Sequence, residues 1–397
     1  MEKVRLGIIG VGNMGTGHIG NIYGGHCPEV ELRAVADINP ARLEWMKKKE
    51  EEVRCRVPSL PHVELFDDAS AMLRSGLIDA VIIAVPHYDH PRYAAEAFRA
   101  GVHVMCEKPA GVYTLQVREM IAEADRHPEL VFGMMFNQRT NHVYRKMKEI
   151  MDSGELGALK RTSWIITNWY RPQAYYDSGA WRATWSGEGG GVLLNQCPHN
   201  LDLWQWICGM PQVVDTKMHF GKWHDIEVED DVTTYVEYEN GATGTFITTT
   251  GDAPGTNRFE VVCDGGTMVC DGGSLWVTRL DMPESVFTKK NTVAFAAPPC
   301  HTEKAETDGQ NPQHIGVVNA FAGAILRGEP LVADGREGIR GLMLSNAMHL
   351  SAWTGKPVTL PFDEAQFRDL LMEHVRHSRR KENIAAVLSD TTGTYNS

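Results

Sequence analysis

VRLGIIGVGNMG, residues 4–15, decides the fold. Residues 4–10 form a short apolar run ending in glycine, and Gly10-Val11-Gly12-Asn13-Met14-Gly15 leads straight from it into a helical pattern. Glycine meets three demands at such a turn: a tight bend, close approach of the backbone to a pyrophosphate, and packing of helix on strand with no Cβ between them. The helix start then offers unpaired N–H groups and a positive dipole end to phosphate. Gly10, Gly12, Asn13, Met14 and Gly15 are therefore candidate contacts for a dinucleotide.

Outward from this turn, ELRAVAD (31–37) is a second apolar run, closed by Asp37 about twenty residues past the glycines. A carboxylate there accepts from a ribose 2′-OH and repels a 2′-phosphate, so NAD is expected over NADP. Arg42, a few residues on, is the residue type that would greet the 2′-phosphate instead. DAVIIAVP (79–86), HVMCEKP (103–109) and LVFGMMFN (130–137) continue the series, with helical patterns at 91–100 and 114–126 between them. Near-continuous Val, Ile and Ala runs spaced by helices are strands buried on both faces by crossovers, and they predict a doubly wound parallel sheet. Residues 1–128 read as this Rossmann-type domain.

At 397 residues the chain exceeds the roughly 250–300 at which one core stops growing, so a second domain is expected over 129–397. Its segments 159–169, 213–220, 230–238, 242–250 and 257–264 alternate polar and apolar residues, and turns such as Glu239-Asn240-Gly241 separate them. That pattern predicts an α+β domain with a large open, mostly antiparallel sheet. Residues 281–312 lack periodicity and read as one long loop over a site. Helices are expected at 314–327, 334–354 and 363–380, followed by a mobile end, SDTTGTYNS.

The net charge of −12 argues against a nucleic-acid partner, which needs clustered Lys and Arg. No secretion signal or bilayer-length apolar run is visible, and a cytoplasmic address is expected. The eight cysteines contain no CxxC pair and read as reduced thiols.

Two segments carry the chemistry. Glu107-Lys108-Pro109 ends the fourth strand, where ligands sit in open parallel sheets, and Lys108 could give a proton or hydrogen bond to a reacting oxygen or simply pair with Glu107. Glu188-Gly189-Gly190-Gly191 leads into LLNQCPHNLDLWQW, where helical spacing from Leu194 puts Asn195, His199 and Asp202 on one face. Without cysteine or a second histidine in register, no metal is expected there.

The ordered set resembles the Gfo/Idh/MocA family, the relatives of glucose-fructose oxidoreductase and inositol dehydrogenase. It comprises GxGxxG, Asp37, Pro86 with His90, EKP, and a glycine triplet before Asn-x-x-x-His-x-x-Asp, spanning residue 4 to about 350. The resemblance implies hydride transfer between NAD or NADP and a sugar or cyclitol, in a homodimer or homotetramer. It makes Lys108 and His199 catalytic with Asn195 beside them, and adds Pro86, His90 and Glu107 to the cofactor contacts. Asn195 departs from the aspartate of many members: an amide can orient by hydrogen bonds but cannot carry charge. YRPQAYY and WRATW look like the subgroup acting on pyranosides and anhydrosugars. Asn137, Arg139, Tyr170, Arg171, Tyr176, Trp181, Arg182 and Asp202 are the expected substrate contacts. Two other readings fit the same motifs: a glycosidase using transient oxidation and elimination, and a non-catalytic NAD sensor, against which the Lys108 and His199 pair speaks.

Overall fold

A computed structural model of the chain describes residues 3–379; the expected mobile end, 389–397, lies outside them. The opening run forms β1 (Val4–Ile9), followed by α1 (Asn13–Tyr23), β2 (Val30–Ala36), α2 (Pro40–Arg56), β3 (Glu64–Phe66), α3 (Ala69–Leu73) and β4 (Ala80–Ile83). Next come α4 (His90–Arg99), β5 (His103–Cys106), α5 (Thr114–Ala124) and β6 (Phe132–Met134). All six strands pair parallel in the order β3-β2-β1-β4-β5-β6. The order reverses between β1 and β4, which opens a crevice at the carboxyl ends of the strands. Ile8, Val81, Ile82 and Val104 are fully buried, as strands covered by helices on both faces require. β6 belongs to this sheet although it lies past residue 128.

The chain continues through α6 (His142–Ser153), β7 (Leu159–Ile166), α7 (Gln173–Tyr176), α8 (Pro198–Cys208), β8 (Val213–Phe220), β9 (Glu229–Glu237), β10 (Thr243–Thr249), β11 (Asn257–Cys263), β12 (Gly266–Asp271) and β13 (Ser274–Leu280). α9 (Glu284–Lys290) and β14 (Cys300–Lys304) occupy the stretch expected to be one loop. β14 escapes notice in the sequence because all five residues are exposed on the sheet's edge, so no face alternates. α10 (Gln313–Arg327), α11 (Gly338–Thr354), β15 (Val358–Thr359) and α12 (Glu364–Arg376) complete the described chain.

These strands form a nine-stranded sheet, β14-β13-β12-β11-β7-β10-β9-β8-β15, in which only β7 and β10 run parallel. One face is packed. Trp164 stacks on Phe259 with centroids 4.2 Å apart, and Trp204 of α8 stacks on Phe246 and donates its indole N–H to Thr162 Oγ1 at 3.1 Å. The other face exposes Tyr235 (41%) and Trp276 (46%).

Two late helices tie the halves together. α10 buries Val317, Val318, Phe321 and Ala322 in one core with Leu6, Ile8 and Ile82 of the parallel sheet. α11 packs on β8 and α8, and its Asn346 accepts from Thr114 N–H and donates to Val112 O, both at 3.0 Å. No helix among the described residues is long and apolar enough to cross a membrane.

Candidate active site

The glycine turn has the shape a pyrophosphate needs. Gly10 follows β1 with φ +93°, and a Cβ on Gly15 would lie 1.9 Å from Gly10 O, so only glycine lets α1 approach the strand. Gly12 caps α1 and is different: a Cβ there would meet nothing within 4 Å. The protein itself gives no steric reason for glycine at 12, whereas a phosphate lying over the helix start does. Asn13 and Met14 form the first turn of α1. Asp37 follows β2, and its carboxylate accepts from Val11 N–H at 2.7 Å and Asn39 N–H at 2.8 Å, which aims it across the glycine turn. Arg42 sits in the first turn of α2. The residues present fit a dinucleotide.

Pro86 and His90 follow β4. Burial holds His90 below the usual imidazole range, and its ring nitrogens lie 2.7 Å from Pro109 O and 2.8 Å from Val85 O. Its buried ring sits between the loops that follow β4 and β5. Glu107 is likewise spoken for. Burial alone would raise its carboxyl, but the bond from His18 Nε2 (2.8 Å) and the nearby charges of His18, His314 and Lys108 hold it at about 2. Its other oxygen accepts from Lys108 N–H at 3.2 Å. His18 and Glu107 therefore brace the loop that presents Lys108.

Lys108 Nζ donates to Asn195 O at 3.1 Å. Burial pushes its ammonium below the usual lysine range, and Glu107, Tyr175 and Glu188 pull it back up. His199, buried in the first turn of α8, is held well below the usual imidazole range by burial and then by the charge of Lys108. Its ring meets Phe136 edge-on at 6.4 Å. The two groups lie close enough for the Lys108 charge to act on the imidazole.

Asn195 corrects the expected helix face. α8 starts at Pro198, because proline has no N–H to give the preceding turn and fits only at a helix start. Asn195 lies instead in a tight turn held from below by Glu229, whose carboxylate accepts from Gly191 N–H (2.7 Å) and Leu193 N–H (3.0 Å). The Asn195 amide donates to Glu188 Oε1, and its oxygen accepts from Tyr175 OH at 3.3 Å.

The expected substrate contacts divide. Arg171 and Arg182 lie 5.2 and 4.5 Å over the Tyr175 ring, Arg182 also covers Trp181 at 4.7 Å, and Tyr170 is exposed close by. Arg139 and Asp202 are corrected: they form a bidentate pair at 2.7 Å, with side chains only 2% and 1% exposed. Each consumes the other, so neither is left to meet a ligand. Tyr176 is buried with its hydroxyl on Thr250 Oγ1 at 2.7 Å, and Asn137 is buried and donates to Gln313. Both pack the wall. Tyr175 lies in the aromatic segment YRPQAYY, whereas Glu188 was not among the expected contacts; an acid directly before a glycine triplet was the available signal for it.

Residues 4–134 match the oxidoreductase family with an NAD-binding Rossmann fold, and residues 144–269 match the GFO/IDH/MocA C-terminal domain. The chain belongs to the Gfo/Idh/MocA family. It is an NAD-binding oxidoreductase of that family. D-glucoside 3-dehydrogenase of Escherichia coli is 25% identical over 379 residues, covering 90% of this chain and 98% of that one. Myo-inositol 2-dehydrogenase of Thermotoga maritima is 24% identical over 375 residues, with 90% and 98% covered. Among solved structures, the WlbA dehydrogenase of Bordetella pertussis, in complex with NADH and UDP-GlcNAcA, superposes with a TM-score of 0.75 at 26% identity, covering 91% of this chain and 99% of that one.

Proposed function

We propose that the protein oxidises a secondary hydroxyl of a sugar, glycoside, anhydrosugar or cyclitol to a keto product, using NAD in preference to NADP. The observation that carries this reading is that Lys108, just after β5, holds the carbonyl of Asn195 at 3.1 Å, four residues before His199, and that its charge acts on the buried imidazole. NAD, when bound over Gly12 and Asp37, supplies the hydride acceptor. His199, neutral at physiological pH, takes the hydroxyl proton. The Lys108 ammonium donates a hydrogen bond to the same oxygen as negative charge develops on it, and an enclosed site strengthens that bond.

The ring of Tyr175 with Arg171, Trp181 and Arg182 around it suits the apolar faces and hydroxyl rims of a pyranose. A glucoside dehydrogenase and an inositol dehydrogenase among the relatives support the same substrate class. In this reading the open face of the large sheet, with Tyr235 and Trp276, receives a second copy, giving a homodimer or homotetramer.

The test is the near-ultraviolet absorbance of reduced nicotinamide, with protein near-stoichiometric to NAD, across free sugars, inositols, anhydrosugars and glycosides. A signal with one class is expected. Lys108→Ala and His199→Ala should each lower turnover by about 10²–10⁴-fold. Turnover retained within about threefold in both variants would overturn the assignment, and free aglycone without net NADH would favour the glycosidase instead.

A further inference from the structure

Glu188 is a buried carboxylate outside the pair just described, 2% exposed and set at the start of the glycine triplet. Both of its oxygens are taken by N–H donors: Oε1 by the Asn195 amide and Oε2 by Ala183 N–H at 2.5 Å. Burial holds its carboxyl above the usual carboxylate range, and the Arg182 charge and these two donors offset part of that rise. An ionised carboxylate, which only accepts, satisfies that arrangement, and a protonated one would present its O–H to a donor. The Asn195 amide is thereby oriented at both ends, since its oxygen faces Tyr175 OH at 3.3 Å and Gln196 Nε2 at 3.4 Å. The backbone carbonyl of the same residue is the one that Lys108 Nζ grips.

We propose that Glu188 is a positioning residue that acts through Asn195, supplying the negative charge and the fixed carbonyl that keep Lys108 protonated and aimed. The carboxylate missing at 195 is found one hydrogen bond away. Glu188 and Asn195 together then orient and charge the site, a role that rests on reading Lys108 as the hydrogen-bond donor to substrate.

The groups facing Lys108 decide how large the effect is. From β5 comes Glu107, the stronger counter-charge, shared with His18. From the α7 side come Tyr175 and, beyond it, Arg182, which opposes Glu188. His87, His90, His199 and His314 surround the ammonium from the remaining elements, Cys197 lies nearby, and Glu229 adds its charge behind Glu188. Burial lowers the Lys108 ammonium, and Glu188 is one of the groups that offset it.

The polarity of the pair makes a charge swap possible. In Glu188→Gln the new amide oxygen accepts from Ala183 N–H, and its NH₂ group meets the Asn195 NH₂ group, donor against donor. Adding Asn195→Asp restores every hydrogen bond with the charge moved to 195, because the amide introduced at 188 then donates to the new carboxylate while Tyr175 and Gln196 still donate to it.

The experiment uses the full chain and acetic anhydride as probe, following the pH dependence of Lys108 acetylation by peptide mass spectrometry, so that no substrate need be known. Glu188→Gln should move the Lys108 midpoint down by about one pH unit, the low end for loss of a neighbouring opposite charge. Glu188→Gln with Asn195→Asp should return it to the wild-type value. An unmoved midpoint in Glu188→Gln, or a double variant that stays with the single one, overturns the proposal. If turnover still requires Lys108 in that case, Glu188 alone loses its role. If the midpoint moves but Lys108→Ala turns over normally, the coupling stands and the proposed function falls.

Discussion

Asp202→Asn discriminates a structural ion pair from a ligand contact. The substitution keeps shape and removes charge, leaving the Arg139 guanidinium buried without its bidentate carboxylate. Breaking a buried pair on one side costs about 3–5 kcal/mol. Arg139 keeps its bond to Glu337 at 3.0 Å and its place between the rings of Phe136 (5.3 Å) and Trp206 (5.0 Å). The low end, about 3 kcal/mol, is therefore expected, a change of roughly 150-fold in the folded-to-unfolded ratio. With a urea m-value of about 3 kcal/mol/M the unfolding midpoint falls by ~1 M. The assay is urea unfolding followed by tryptophan fluorescence, run beside steady-state kinetics. Stability should drop while KM stays near wild type. A midpoint within experimental error of wild type, with KM raised about tenfold, would mean that Asp202 holds substrate and that the pairing argument is wrong.

Gly12→Ala should fold and melt like wild type, since its methyl meets nothing, yet bind NAD at least about tenfold more weakly because the methyl occupies the phosphate's space; unchanged affinity by fluorescence titration would refute the cradle. Asp37→Ser should shift the NADP-to-NAD preference by about tenfold toward NADP by removing the repulsion of a 2′-phosphate, and a ratio that does not move would reassign the residue to bracing Val11 and Asn39. Acid stability should depend on His314, which burial holds at about 4 against the ordinary 6.5. A depressed histidine stabilises the fold above its unfolded value, so stability is intact above pH 6.5 and is lost as pH falls toward 4, by about 3 kcal/mol. Melting temperatures of wild type and His314→Gln measured across that window should diverge in slope, and parallel curves would count against it.

The parallel sheet was legible because strands buried on both faces must be nearly continuous in apolar residues, as Ala80–Ile83 and, apart from Arg5, Val4–Ile9 are. β3 left no such mark, being three residues long at one edge of the sheet. Alternation exposed β8 to β11, whereas β14 carries none because both its faces are wet. Within the site, EKP and the turn at 195–199 were visible as residue types in order. The pairing of Arg139 with Asp202 was not, since two charges sixty-three positions apart say nothing about each other until the fold joins them. Asn195 was misplaced for a local reason: the apolar spacing ran on through Pro198, and the proline should have ended it.

Helix α10 fixes when the nucleotide-binding half can be finished. During synthesis all six parallel strands have been made by residue 134, but the helix that covers Leu6 and Ile8 ends at residue 327. At about 5–20 residues per second the ribosome takes roughly ten to forty seconds to bridge that gap. For that interval the growing chain carries an assembled sheet whose apolar flank lacks the cover of Val317, Val318, Phe321 and Ala322, a surface fit for a chaperone or for another nascent copy. A fragment ending at residue 134 would carry it permanently.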